Sequence, residues 1–312
     1  MRNAFLEALT ELAGKDRNVV LLTADLGFGV FDEFSRKFPG QYFNVGVAEQ
    51  NMTGIATGLA LEGKTVFTYS IANFPTLRCL EHVRNDACYH DLNINIIASG
   101  GGFSYGALGM SHHATEDLSI LRALPNVTAV APASRWEARM AVRSLAGTGG
   151  VGYLRLDKTC APDPEDQNED YILGKARRIR EGSDITLIAS GGILKEALEA
   201  ADILGKEGIA CRVVSMHTVK PIDREEIEDA AANTGGIVTI EENTILGGLG
   251  GAVAEICLES PVRPRRFARI GLNDMYSSIV GSQEYLRERY GMDRKAIVDK
   301  VLRLIKKSRL SL

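Results

Sequence analysis

Residues 42–52 read Tyr42-Phe43-Asn44-Val45-Gly46-Val47-Ala48-Glu49-Gln50-Asn51-Met52. An apolar run passes through Gly46 and Val47 and gives way, near Glu49, to a segment of helical length that extends to Leu61. The stretch is thus a strand-to-helix junction. Outward from it, Val19–Thr23, Thr65–Tyr69, Ile94–Ala98 and Val127–Val130 are short and β-branched, and read as buried strands. Leu77 to Tyr89 again has helical spacing. This alternation predicts a mostly parallel sheet with helices on both faces.

The pattern breaks near Lys158. Residues 161–170 (APDPEDQNED) are polar, acidic and carry two prolines, the composition of a boundary. A second series of strands follows: Asp184–Ser190, Ala210–Ser215, Gly236–Glu241 and Arg266–Ile270. The expectation is an α/β protein of two domains, 1–160 and 175–312, joined by a linker at 161–174. Each domain has a mostly parallel sheet flanked by helices.

Composition fits that architecture. Of 312 residues, 45 % are hydrophobic and 24 % charged, with a formal charge of −4. Global disorder is excluded, and mild acidity argues against nucleic acid as the main partner. No apolar run approaches the roughly 18–20 residues that span a bilayer, so no membrane partner is expected. The N-terminal segment spaces Phe5, Leu6, Leu9 and Leu12 as an amphipathic helix and carries Glu7 and Glu11, which is unlike a signal peptide. Five scattered cysteines without a C-x-x-C pair fit a reduced, cytoplasmic setting.

Four segments carry candidate chemistry. Glu49 stands where a strand meets a helix, the edge at which doubly wound sheets bind ligands; a carboxylate favoured by the helix dipole is the plainer reading. Phe74, in Tyr69–Arg78, offers a ring at the same edge or fills core. Gly100-Gly101-Gly102 leads through Leu108 to Ser111-His112-His113. That loop suits acid/base or hydroxyl-binding work, or a capped helix with surface histidines. Gly247-Gly248-Leu249-Gly250-Gly251 tempts a phosphate-loop reading. It lacks the Lys-Ser/Thr of such loops, and close strand–helix packing accounts for it better.

Taken in order, Thr23–Leu26, Asn44–Gln50, Ser111–Leu118, Leu121–Asn126 and Met216–Asp223 resemble segments of transketolase, nearly end to end. More narrowly, the chain resembles the C-terminal subunit of a two-chain transketolase, which holds the pyrimidine-binding and C-terminal domains of a thiamine diphosphate enzyme. The resemblance implies transfer of a two-carbon ketol unit from a ketose to an aldose. It implies that Glu49 hydrogen-bonds N1′ of the aminopyrimidine, favouring the imino tautomer that deprotonates the thiazolium. Phe74 then stacks on that ring, and Asp25 is an acid near the cofactor. His112, with His113, contacts donor oxygens near the reacting carbon. Arg155 binds substrate phosphate, and Arg78 lies on the substrate side.

The chain departs from the family at two places. Leu108 replaces an aspartate that reads a substrate hydroxyl, and a histidine is missing from Gly100–Gly102. An apolar wall there points to a less hydroxylated, branched or otherwise modified donor. The G-D-G segment that serves diphosphate and Mg²⁺ in the family is also missing. The resemblance therefore implies an N-terminal partner chain that holds Mg²⁺ and the diphosphate, in a heterotetramer with two copies of each chain. This chain itself supplies no metal ligand. Two relatives of similar plan define the alternatives. One is the β subunit of a 2-oxoacid dehydrogenase E1 component; the other is a non-catalytic partner that kept the fold. Deoxyxylulose phosphate synthase, the third relative, carries its domains in one chain.

Overall fold

A computed structural model of the chain describes residues 1–306. The N-terminal amphipathic segment forms helix α1 (Arg2–Lys15), burying Ala4, Phe5, Ala8, Leu9 and Ala13 along one stripe. Alternating elements follow: β1 (Val19–Thr23), α2 (Asp32–Lys37), β2 (Tyr42–Asn44), α3 (Glu49–Leu61) and β3 (Thr65–Ile71). Next come two π-helical segments, Phe74–Arg78 and Val83–Cys88, around α4 (Leu80–His82). Then β4 (Ile94–Ser99), α5 (Asp117–Ala123), β5 (Val127–Val130), α6 (Arg135–Thr148) and β6 (Val151–Leu156) complete the first half.

Strands β1 to β6 lie in the order β5-β6-β4-β3-β1-β2, all parallel. The chain steps from β1 outward to β2, then returns across β1 to β3. The order therefore reverses between β1 and β3, which opens a crevice at their C-terminal ends. Asp25, Glu49 and Phe74 all follow strands at this edge. One face of the sheet packs against α1 and α6 through Phe5, Leu9, Phe34 and Val142. The other packs against α3 and the 74–88 helical stretch through Met52, Ala56, Cys79 and Val83.

Two boundaries differ from the sequence reading. Strand β2 stops at Asn44 rather than running through Gly46 and Val47, because Gly46 sits at φ 76° and turns the chain. Strand β6 is concealed in the sequence by Gly152 and Arg155, which interrupt its apolar pattern.

Residues 157–176 carry no helix or strand. The second half contains β7 (Arg177–Arg180), β8 (Ile185–Ser190), α7 (Leu194–Lys206), β9 (Cys211–Ser215) and β10 (Thr218–Lys220). It continues with α8 (Arg224–Asn233), β11 (Ile237–Thr244), α9 (Leu249–Glu259), β12 (Phe267–Leu272), α10 (Gln283–Arg289) and α11 (Arg294–Lys306). Its sheet has the order β12-β11-β8-β9-β7, parallel except for β7. So two domains, each a mostly parallel sheet flanked by helices, make up the chain.

The halves exchange structure. Strand β10 leaves the second domain and pairs antiparallel with β5 of the first. His217 beside it is fully buried, stacked on Tyr171 at 4.3 Å, and its backbone oxygen accepts the Ala131 N–H at 2.8 Å. The Met216–Asp223 segment is thus a clasp between sheets. The glycine-rich turn at 247–251 proves to be close packing. Glu241 accepts the Leu249 and Gly250 N–H groups, both at 2.8 Å, so a carboxylate of the protein itself occupies the N-terminus of α9. A Cβ at Gly248 would lie 2.1 Å from that carboxylate.

Candidate cofactor and substrate site

Thr23 ends β1, and the chain then bends sharply at Asp25, which has φ 54°. Aspartate tolerates this left-handed backbone at a cost of roughly 1–2 kcal/mol. Asn44, at the end of neighbouring β2, secures the bend. Its Oδ1 accepts the Asp25 N–H at 2.9 Å and the Gly46 N–H at 3.1 Å, while Nδ2 donates to Asp25 Oδ1 at 3.2 Å. Asp25 is thereby presented, partly exposed, at the crevice.

Glu49 is the first residue of α3 and is 5 % exposed. Its carboxylate faces Arg78, whose Nη1 donates to Oε1 at 3.2 Å and Oε2 at 3.1 Å. The Arg78 guanidinium carbon lies 4.2 Å from the centroid of the Phe74 ring. The guanidinium thus meets the carboxylate through its N–H groups and the aromatic ring through its central carbon. The edge of the His112 ring meets Phe74 at 5.3 Å and 66°. Ser111 Oγ lies 3.0 Å from His112 Nδ1, and Asn73 Nδ2 donates to the Ser111 carbonyl at 2.8 Å. The crevice thus brings together Glu49, Phe74, Arg78 and His112.

Two residues expected on the substrate side lie elsewhere. His113 is 3 % exposed, packs edge-on to Phe103 and lies 3.3 Å from the Gly106 carbonyl. Burial lowers its pKa, so it is a neutral brace for its own loop and presents nothing to a substrate. Arg155 is 2 % exposed. Burial works against its charge, but Asp117 at 3.2 Å and Asp157 at 3.6 Å outweigh that and raise its pKa. Its Nη2 donates to the Glu242 carbonyl at 2.7 Å. A guanidinium so enclosed has no face left for a phosphate.

Arg155 explains the triple glycine instead. A Cβ at Gly101 would lie 1.7 Å from Arg155 Nε, and one at Gly102 would lie 2.4 Å from Glu242 Oε1. A Cβ at Gly100 would meet the Tyr105 ring at 2.2 Å. The family's histidine is therefore replaced by glycine where Tyr105 takes the space. Leu108 is exposed on the short 3₁₀ turn Gly106–Leu108, one residue before the turn Met110–His112.

Sequence reading missed the cations that do remain open. Beyond the end of β6, Lys158 stands over the Tyr105 ring at 4.0 Å. It lines a cavity of about 570 Å³ with Arg2, Arg135, Ser99 and Tyr105, and the acids Glu7, Asp157 and Asp163 line it too. Burial lowers the Lys158 pKa. Arg2 opens α1 and Arg135 opens α6, so the signal was a cation in the first turn of each helix, where the dipole disfavours one. Among the described residues, no cluster of three or more His, Cys, Asp or Glu is placed to hold a metal ion. No described helix is long and apolar enough to cross a membrane.

Comparison with known proteins gives the family. Residues 1–162 match the family "Transketolase, pyrimidine binding domain", and residues 174–297 match "Transketolase, C-terminal domain". A putative transketolase C-terminal section from Methanocaldococcus jannaschii is 38 % identical over 98 % of this chain and 96 % of its own length. One of the subunits of an apulose-4-phosphate transketolase from Phocaeicola vulgatus is 37 % identical over 98 % of this chain and 97 % of its own length. A solved chain described as "Split gene transketolase, inactive beta4 tetramer" superposes with a TM-score of 0.87 at 38 % identity, covering 98 % of this chain and 97 % of that one. Two matched domains in one order, over nearly the whole length, place the chain in the transketolase family.

Proposed function

We propose that this chain is the half of a two-chain transketolase that grips the aminopyrimidine of thiamine diphosphate, transferring a two-carbon ketol unit from a ketose donor to an aldose acceptor. One observation carries the reading. The Glu49 carboxylate and the Phe74 ring both lie against a single flat group, which hydrogen-bonds the one and covers the other. A flat, nitrogen-bearing ring fits the same two surfaces. When bound, the cofactor would supply a thiazolium ring that can serve as electron sink.

The chain's own residues have separable tasks. Glu49 holds a proton at N1′ of the pyrimidine, and Phe74 fixes the ring plane. Asp25 faces the cofactor from the end of β1. His112 contacts donor oxygens and stabilises charge that develops there. Arg78 acts on the substrate side once it leaves Glu49. Lys158 and Arg2 take the anionic end of the sugar in place of Arg155, which is enclosed. Exposed Leu108 favours a branched or otherwise modified donor, a reading supported by the relative named for apulose-4-phosphate.

The diphosphate and Mg²⁺ belong mainly to an N-terminal partner chain bearing G-D-G, in a cytoplasmic heterotetramer with two copies of each. A solved relative described as inactive in beta4 form supports the need for that partner. In this assembly residues 1–160 supply the pyrimidine site, 161–174 the linker and 175–312 the domain that braces it.

The test is to co-express the chain with its G-D-G partner and screen ketose donors by mass spectrometry. Products heavier than the acceptor by a two-carbon ketol unit are expected. Glu49→Gln should lower transfer at least about a hundredfold while the heteromer still assembles. Full ketol transfer by Glu49→Gln would remove that residue from the chemistry. Full transfer by this chain without any partner would refute the divided site.

A further inference from the structure

The group that fills the slot between Glu49 and Phe74 is Arg78 itself. Its side chain is 52 % exposed, whereas that of Glu49 is 6 % exposed. The guanidinium is flat, conjugated and edged with N–H donors. It stacks on the ring at 4.2 Å and donates to both carboxylate oxygens. An aminopyrimidine would use the same face and the same carboxylate. The guanidinium already takes both contacts, so it and the pyrimidine exclude one another.

The backbone beneath Arg78 is held. Its carbonyl accepts from Gln50 Nε2 at 3.0 Å, and Gln50 is the residue after Glu49 on α3. The neighbouring Cys79 is fully buried. Side-chain torsions alone can therefore empty the slot while its walls stay in place. The side chain as a whole is already half-exposed, so moving it outward has a small desolvation term.

We propose that Arg78 is a placeholder for the cofactor's pyrimidine. In the free chain it covers the Phe74 face and pairs the Glu49 carboxylate, and the incoming ring displaces it. The displaced guanidinium swings outward, which frees it for the substrate side of the crevice. This rests on the reading that Glu49 and Phe74 hold the pyrimidine. An ion pair that is half-exposed on its Arg78 side and a cation–π contact are what the ring must break, so occupancy by Arg78 weakens pyrimidine binding about threefold to thirtyfold.

The test titrates the full-length chain with 4-amino-5-hydroxymethyl-2-methylpyrimidine, followed by NMR. Arg78→Ala is expected to bind the pyrimidine about threefold to thirtyfold more tightly than the unmodified chain. In the Arg78→Ala background, Glu49→Gln and Phe74→Ala should each weaken binding. In the heteromer, thiamine diphosphate loading monitored by near-UV circular dichroism should be faster with Arg78→Ala. If Arg78→Ala binds equally or more weakly while the other two substitutions weaken binding, the placeholder is refuted and the pyrimidine site stands. If Arg78→Ala shows no binding, or binding that Glu49→Gln and Phe74→Ala leave unchanged, the slot is not the pyrimidine's place and both readings fall.

Discussion

Glu242, on β11 of the second domain, accepts the backbone N–H of Phe103 in the first domain at 2.6 Å. Its carboxylate also accepts from Gln283 at 2.8 Å and from Arg287, while its carbonyl takes Arg155. Two residues later, Thr244 N–H donates to the Thr115 carbonyl at 2.6 Å. The loop that bears His112 is therefore fastened at both ends by β11. Glu49, Phe74 and Arg78 come from the first domain, but the placement of His112 depends on the second.

Glu242→Ala should be among the most destabilising substitutions in the chain. Glu242 is 2 % exposed and its partner Arg287 is 1 % exposed. Removing the acid leaves a buried guanidinium and a buried backbone donor without it, a loss of about 3–5 kcal/mol. Urea denaturation of the full chain should show the midpoint falling accordingly. A change below about 1 kcal/mol would mean that water replaces the carboxylate and that the loop is not fastened by it.

The stability that two buried acids contribute should fall as pH rises from about 4 to 7. Burial pushes Asp157 up to about 6 and Glu241 up to about 7, both above their ordinary carboxylate values. A raised acid pKa means that the folded form binds more protons than the unfolded one. The stabilisation is complete below the unfolded value and is lost as pH climbs through the folded value. Melting temperatures recorded across that interval should decline. Glu241→Gln should flatten the part of the decline that runs up to about pH 7. A flat wild-type profile would mean that the Leu249 and Gly250 N–H groups hold Glu241 ionised throughout.

Periodicity made the parallel sheets legible because buried β-branched runs such as Ile94–Ser99 leave no other reading. The order of elements puts Glu49 and Phe74 at one sheet edge, but their proposed roles come from the resemblance and not from that placement. What stayed hidden depends on contacts distant in sequence. Arg155 has the local setting of an anion binder at the end of β6. Only the approach of Asp117 and Glu242, the latter 87 residues away, encloses it. His113 stands next to His112 in sequence, yet adjacent side chains diverge, and the ring of Phe103 claims one of them. Strand β10 has three residues and pairs across domains, so no local pattern could announce it.

Two glycines should respond to alanine in opposite directions. A Cβ at Gly58, on α3, would meet nothing within 4 Å, and its φ lies in the ordinary range. Gly58→Ala should therefore stabilise by about 0.5–1 kcal/mol, the difference in helix propensity. Gly101→Ala would drive a methyl into the Arg155 side chain and should cost at least about 3 kcal/mol. Thermal melts of both variants give the comparison. Equal behaviour would show that the loop holding Gly101 yields freely.

Lys158→Ala and Arg2→Ala should each act on substrate capture rather than on the chemical step. Both cations line the 570 Å³ cavity beyond β4 and β6, away from the Glu49–Phe74 stack. The Tyr105 ring covers one side of the Lys158 ammonium, and the lowered pKa of that lysine reflects the same loss of water. A cation stripped of some hydration binds an oxyanion more strongly than a fully solvated one. Each charge-assisted contact is worth roughly 1.5–3 kcal/mol, so KM for a phosphorylated donor should rise about 10- to 100-fold with kcat nearly unchanged. The same donor without its phosphate should show little difference between wild type and variants. Arg155→Ala is the contrast: it should lower the melting temperature before it alters KM. If instead Lys158→Ala lowers kcat and leaves KM alone, the cavity does not hold the anionic end of the sugar, and that end must be sought against the partner chain.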